Sequence, residues 1–324
     1  MNQMLKKYPV PIVGLMLGLA AAGNLVQSYG EGYRITLGIL SAILLILMIA
    51  KIARYPKGVA EALDNPVVAS VFPTLSMGIM LLSTYLKPYA ASFAFIMWII
   101  GFALHIVLIL WFTKKFVLDF KIKQVFPSWF IVYVGIVVGS VTGSAYKMAA
   151  VGQIAFWFGF VTYLILLPIV IYRVVKVQEM AEPTLPTLAI FAAPASLLLA
   201  GYMNSFQTKN MIMIWFLMAL SIIMYVAVIV MLFRLLKLKF YPSYSAFTFP
   251  LIISGIAMKL TNGFLTKAGQ PISSLQYLVH FQEFVGVIIT LYVLIRYIQF
   301  LAKELSNKNE LKQAVPEKVS TKSS

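Results

Sequence analysis

The chain has no cysteine and two histidines. The first absence excludes disulfides, thiolate metal sites and cysteine nucleophiles. The second leaves too few ligands for a histidine metal centre. Charge is scarce as well: 11% of the 324 residues are charged, against roughly a quarter in soluble domains. Acids are the scarcest, ten against 26 Lys and Arg. No acid pair or nucleophile–base arrangement falls within the apolar segments, so the chain carries no enzyme signature, and neither a cofactor nor a metal is expected. The run GSVTG at 139–143 is only superficially like a nucleophile elbow, and it lies inside an apolar helix rather than at a strand-to-helix turn.

What the chain has is apolar length. Hydrophobic residues make up 61% of it, and the mean hydropathy is +0.91. A membrane helix needs roughly 20 apolar residues. Ten such spans are expected, at 9–27, 34–53, 66–86, 89–113, 126–145, 151–175, 185–206, 211–236, 241–265 and 273–302. The first follows Lys6 and Lys7 like a signal peptide, but its apolar run is too long for one and is expected to be retained. A short interfacial helix is expected within 54–65. Residues 1–302 form one transmembrane domain on this reading. The Lys- and Ser-rich stretch 303–324 is expected to be a disordered cytoplasmic tail.

The net charge of +16 does not mark a nucleic-acid partner, because the cations cluster between spans rather than in a basic domain. With the N-terminus inside, twenty of the 26 Lys and Arg fall on the cytoplasmic side. This bias places both termini of a multi-pass protein in the cytoplasm, its first partner being the lipid bilayer, and the plasma membrane is the expected location.

The spans alternate in character. Even spans are bulky, as in LGILSAILLILMIAKIA. Odd spans are rich in Gly, Ala, Ser and Thr, and each has a proline at a comparable place: Pro11, Pro73, Pro127, Pro194 and Pro250. A recurrence about every sixty residues is an internal repeat. The fold class is therefore all-α integral membrane, built as five helical hairpins. The odd helices form an inner ring around a pore and the even helices an outer ring. The prolines are expected to kink the inner helices. Gly14 and Gly18, and Gly135, Gly139 and Gly143, recur at four-residue spacing, which serves tight helix packing or an open face.

The odd spans hold hydroxyls but no Asp, Glu or His. A path without carboxylates suits an anion better than a cation, with Thr74, Ser140, Ser196 and Ser245 as lining candidates. Phe249, beside Pro250, is the candidate constriction. Serine and threonine in membrane helices commonly bond their own backbone. Lys259 and Glu283 are expected to form an ion pair across the last hairpin, or Glu283 carries a proton. His105 is expected to be a structural histidine.

With SAFTFPLIISG in the ninth span and five proline-bearing hairpins, residues 6–302 resemble the tellurite-resistance/dicarboxylate transporter family. That family includes bacterial TehA and the plant guard-cell slow anion channel. The resemblance implies a homotrimer with a separate pore in each subunit. It also implies a phenylalanine of the ninth helix that occludes the pore, and Phe249 is the matching position. Transmembrane transport of small inorganic or organic anions is the expected function. The alternatives are proton-coupled C4-dicarboxylate uptake and, from other classes, a membrane-embedded enzyme or a non-transporting interaction protein.

Overall fold

The computed structural model describes residues 2–313. Among the described residues there is no strand, and ten helical spans are long and apolar enough to cross a membrane. They are Ile12–Tyr29, Glu31–Arg54, Pro66–Leu86, Ala91–Val117, Trp129–Tyr146, Ala149–Val177, Glu182–Ser205, Met211–Leu235, Pro242–Lys267 and Ser273–Ser306. A short helix, Pro56–Ala62, follows the second span. The final helix runs on to Gln313, beyond the boundary expected at 302, because ELSNKNELKQ is polar but made largely of helix-forming residues. The rest of the expected tail, 314–324, lies outside the described residues.

Helix starts are encoded locally. Asn65 Oδ1 accepts from the amides of Val67 at 2.9 Å and Val68 at 3.3 Å. Asn210 does the same for Ile212 at 2.8 Å and Met213 at 3.4 Å. Each satisfies amides that the first turn leaves without partners.

Burial alternates along the chain. Odd spans are 67–83% buried and even spans 22–33%. Side-chain size explains the difference: small residues let backbones approach, whereas bulky aliphatics leave the even spans exposed on one side. Consecutive spans pack as pairs. The odd spans also touch one another in the order first, third, fifth, seventh, ninth, and the ninth touches the first again.

The prolines act differently from simple mid-helix kinks. In the third, seventh and ninth spans a short helical segment ends and a new α-helix begins at the proline: Pro66–Val71 then Thr74–Leu86, Glu182–Ala192 then Ala193–Ser205, Pro242–Phe247 then Thr248–Lys267. Pro11 and Pro127 stand just before helices that open at Ile12 and Trp129. Each proline thus lies in or just before a first turn, where its missing N–H removes no intrahelical bond. The fifth span breaks instead at a 3₁₀ segment, Gly135–Val137.

At one end of the molecule each pair of consecutive spans is tied to the next. Arg34 donates to the Thr84 carbonyl at 3.3 Å and stacks over Tyr85 at 4.2 Å. Lys87 donates to the Ala145 carbonyl. Gln153 donates to the Ser205 carbonyl at 2.9 Å. Lys209 lies 5.4 Å over the Phe264 ring, and Lys259 donates to the Leu25 carbonyl at 2.9 Å. Each tie runs from one pair of consecutive spans to the next, and the last returns to the first. Four of the five use a cation near the carbonyl end of an odd helix, where the helix dipole favours positive charge.

Candidate functional site

Where the helices break, their walls leave a cavity of about 30 Å³, room for one or two waters. Every residue around it comes from an odd span. The ninth contributes Ser245, Ala246, Phe249 and Pro250, and the seventh Ile190, Ala193, Pro194 and Leu197. Phe130, Ile131, Val134 and Gly135 come from the fifth, Val71, Thr74 and Met77 from the third, and Gly14 from the first. No charged side chain is among them.

Phe249 is 6% exposed and sits in this wall. Phe247 does not. It is fully buried against Tyr244, ring centroids 4.8 Å apart. The other phenylalanines that precede prolines are also elsewhere: neither Phe72 nor Phe126 lines the cavity, and Phe126 lies under the Arg173 guanidinium at 5.7 Å.

The hydroxyl candidates divide. Thr74 and Ser245 line the cavity. Ser140 and Ser196 do not, because neighbouring helices claim them. Ser140 Oγ donates to the Gly152 carbonyl of the sixth span at 2.6 Å. Ser196 Oγ meets Ser221 Oγ of the eighth at 2.6 Å and Ser254 Oγ of the ninth at 3.0 Å. Of the prolines, Pro194 and Pro250 are in the wall and Pro11, Pro73 and Pro127 are not.

The glycines serve packing and clearance together. A β-carbon on Gly14 would lie 2.9 Å from Ser245 Oγ, and one on Gly139 would lie 2.5 Å from the Phe102 ring. Gly135 stands between the cavity and His105, whose Cε1 would be 2.9 Å from an added β-carbon. His105 is held from both sides. Its Nε2 lies 3.1 Å from the Val132 carbonyl and its Nδ1 2.8 Å from Ser76 Oγ. A carbonyl only accepts, so Nε2 carries the proton.

Lys259 and Glu283 meet at 2.6 Å. Glu283 also accepts from Tyr29 Oη at 2.6 Å and faces His280 Nδ1 at 3.3 Å. Lys259 adds Ser28 Oγ at 2.7 Å and borders a separate cleft of about 380 Å³ with Asn24 and Gln27. Neither member of the pair reaches the central cavity.

The voltage-dependent anion channel family model matches residues 7–298. The chain belongs to this family. Membership makes it a membrane transport protein rather than an enzyme. An uncharacterized transporter of Methanocaldococcus jannaschii is 25% identical over 242 residues, which cover 64% of this chain and 68% of that protein.

The sequence reading named Gly135 but missed the rest of the fifth-span contribution, Phe130, Ile131 and Val134. Its signal was an aromatic within one turn of a proline, the same feature that singled out Phe249.

Proposed function

We propose that this chain is a passive anion channel or facilitative anion transporter whose path runs between the five odd spans and is closed by Phe249. One observation carries the reading: the central cavity is walled by all five odd spans, with Phe249 in the wall and no charged side chain. An aromatic ring in a narrow apolar passage excludes water by volume and by dewetting. The inner ring of odd helices and outer ring of even helices is part of the proposal, supported by the burial contrast and the cyclic contacts. Five odd spans of one chain suffice for a path, so each subunit of a homotrimer would hold its own. Residues 1–302 are the transporting domain in the plasma membrane, with cytoplasmic termini supported by the Lys and Arg bias.

The substrate is a small inorganic or organic anion. Proton-coupled C4-dicarboxylate uptake through Glu283 is the weaker reading, because Lys259 and Tyr29 already occupy that carboxylate away from the cavity. Purified protein in liposomes, assayed across an anion panel with and without a pH gradient, tests the proposal. Flux of a simple anion independent of the pH gradient is the expected result. Absence of anion flux even in Phe249→Ala would refute it.

A further inference from the structure

We infer that Ser245 is an anion-binding side chain, the point in the central cavity where a small monovalent anion exchanges part of its hydration for a protein hydroxyl. The inference rests on the transport reading above and adds a named contact to it.

The buried hydroxyls of the odd spans are otherwise spoken for. Thr74 donates to the Val71 carbonyl at 2.8 Å, Ser140 to Gly152 at 2.6 Å and Ser196 to Ala192 at 2.7 Å. Thr248 donates to Ser245 at 2.8 Å, Ser254 to Pro250 at 2.9 Å and Thr261 to Ala257 at 2.8 Å. Ser245 is 2% exposed, and its Oγ has no hydrogen-bond partner. Tyr297 approaches from the tenth span near enough to act on Ser245, but it donates its own proton to the Pro242 carbonyl and no contact between the two hydroxyls meets hydrogen-bond geometry. The other unpaired buried polar atoms among the described residues all belong to even spans: Tyr163, Arg173, Tyr225, Gln282 and Thr290.

A buried polar group without a partner calls for an explanation, and an absent water or ion is a common one. Three features favour an ion that passes through. Ser245 lies in the cavity wall one turn before Phe249. Gly14 packs directly beside the hydroxyl, and its missing β-carbon is what lets Oγ stand there, since one would fall 2.9 Å from it. Rotation of the serine about its Cα–Cβ bond, between staggered positions, moves the hydroxyl relative to the cavity that the residue lines.

The chemistry selects the sign of the ligand. A hydroxyl can donate to an anion, and the donation is charge-assisted. A cation would need several oxygen ligands or a carboxylate, and no acid lines the cavity. One neutral donor among apolar walls also binds weakly, as conduction requires: an ion must be able to leave.

The test uses chloride and the absence of native cysteine. In liposomes carrying the Phe249→Ala protein, chloride flux is measured against chloride concentration, with and without Ser245→Ala. Loss of a hydrogen bond to a charged partner predicts about a tenfold rise in half-saturating chloride. In parallel, Ser245→Cys in the same background places a single thiol in the cavity. Its modification by a small anionic methanethiosulfonate is expected to slow as chloride replaces gluconate at constant ionic strength, and this readout works in detergent without flux. Unchanged half-saturation in folded Ser245→Ala overturns the inference. If Ser245→Ala does not fold, a modification rate indifferent to chloride overturns it. Failure of Phe249→Ala itself to carry chloride while the thiol is still protected would count against the transport reading and leave Ser245 as an anion site.

Discussion

Gly18 lies flat against Thr248: a β-carbon on the glycine would fall 2.3 Å from Thr248 Oγ1 and 3.2 Å from the Phe249 amide. The first and ninth spans are therefore in backbone-level contact at the turn that carries Phe249. Thr248 Oγ1 also reaches the Gly14 carbonyl at 3.1 Å. Gly18→Ala is expected to destabilise the fold by about 1–3 kcal/mol, the usual cost of overpacking, and to displace the Phe249 turn. Unfolding in mixed micelles gives the first quantity, and a change in anion flux out of proportion to the folded fraction reports the second.

Phe249→Ala is expected to raise anion flux, because removing the ring lowers a steric and dewetting barrier without deleting a charge. Phe247→Ala is expected to leave the flux per folded molecule unchanged. It should instead cost about 3–5 kcal/mol, as for truncation of a buried phenylalanine, because it packs on Tyr244 away from the cavity. The assignment is wrong if the two variants exchange behaviours in side-by-side flux and unfolding measurements.

The Lys259–Glu283 pair is expected to act in structure. Lys259→Ala removes the cation from a carboxylate whose side chain is 6% exposed, while the lysine itself is 34% exposed. A cost of about 2 kcal/mol follows, between the values for surface and buried pairs. Glu283→Gln is expected to leave anion flux insensitive to a pH gradient. Proton-driven accumulation that is present in the natural protein and lost in Glu283→Gln would move the mechanism to symport.

His105→Leu is expected to lower stability by about 1–3 kcal/mol, since it removes the buried hydrogen bonds of the imidazole to the Val132 carbonyl and to Ser76, which keeps only its bond to the Pro73 carbonyl. Ion selectivity should stay as it is, because Gly135 separates the imidazole from the cavity. A shifted reversal potential in folded His105→Leu would contradict this placement.

How much of this was legible in the sequence depended on the length scale of the signal. The ten spans were readable because hydropathy integrates over some twenty residues and tolerates local error. The segregation of small and bulky spans was readable for the same reason, and burial follows it. The place of Phe249 beside the cavity and the contact of Lys259 with Glu283 were readable as local exceptions to an apolar background. The hydroxyls were not. Nothing in the residue type separates Ser245, which lines the cavity unpaired, from Ser196, which is bonded to Ser221 and Ser254. That difference depends on helix rotation, which composition leaves undetermined where every face is small and apolar. The prolines misled in a similar way: proline signals a break but not whether a helix bends there or starts anew.

The tying of each pair of consecutive spans to the next has a topological corollary. The last tie runs back to Leu25, and Lys7 also bonds Glu304 near the opposite end of the chain. The first and last pairs of spans thus meet at one seam. A circular permutant that joins the region of Lys7 to that of Glu304 through a flexible linker, and opens the chain between the fourth and fifth spans near Asp119, should assemble the same five hairpins. Monodisperse permuted protein with the flux of the natural order would show that the order of the hairpins, rather than their starting point, specifies this fold.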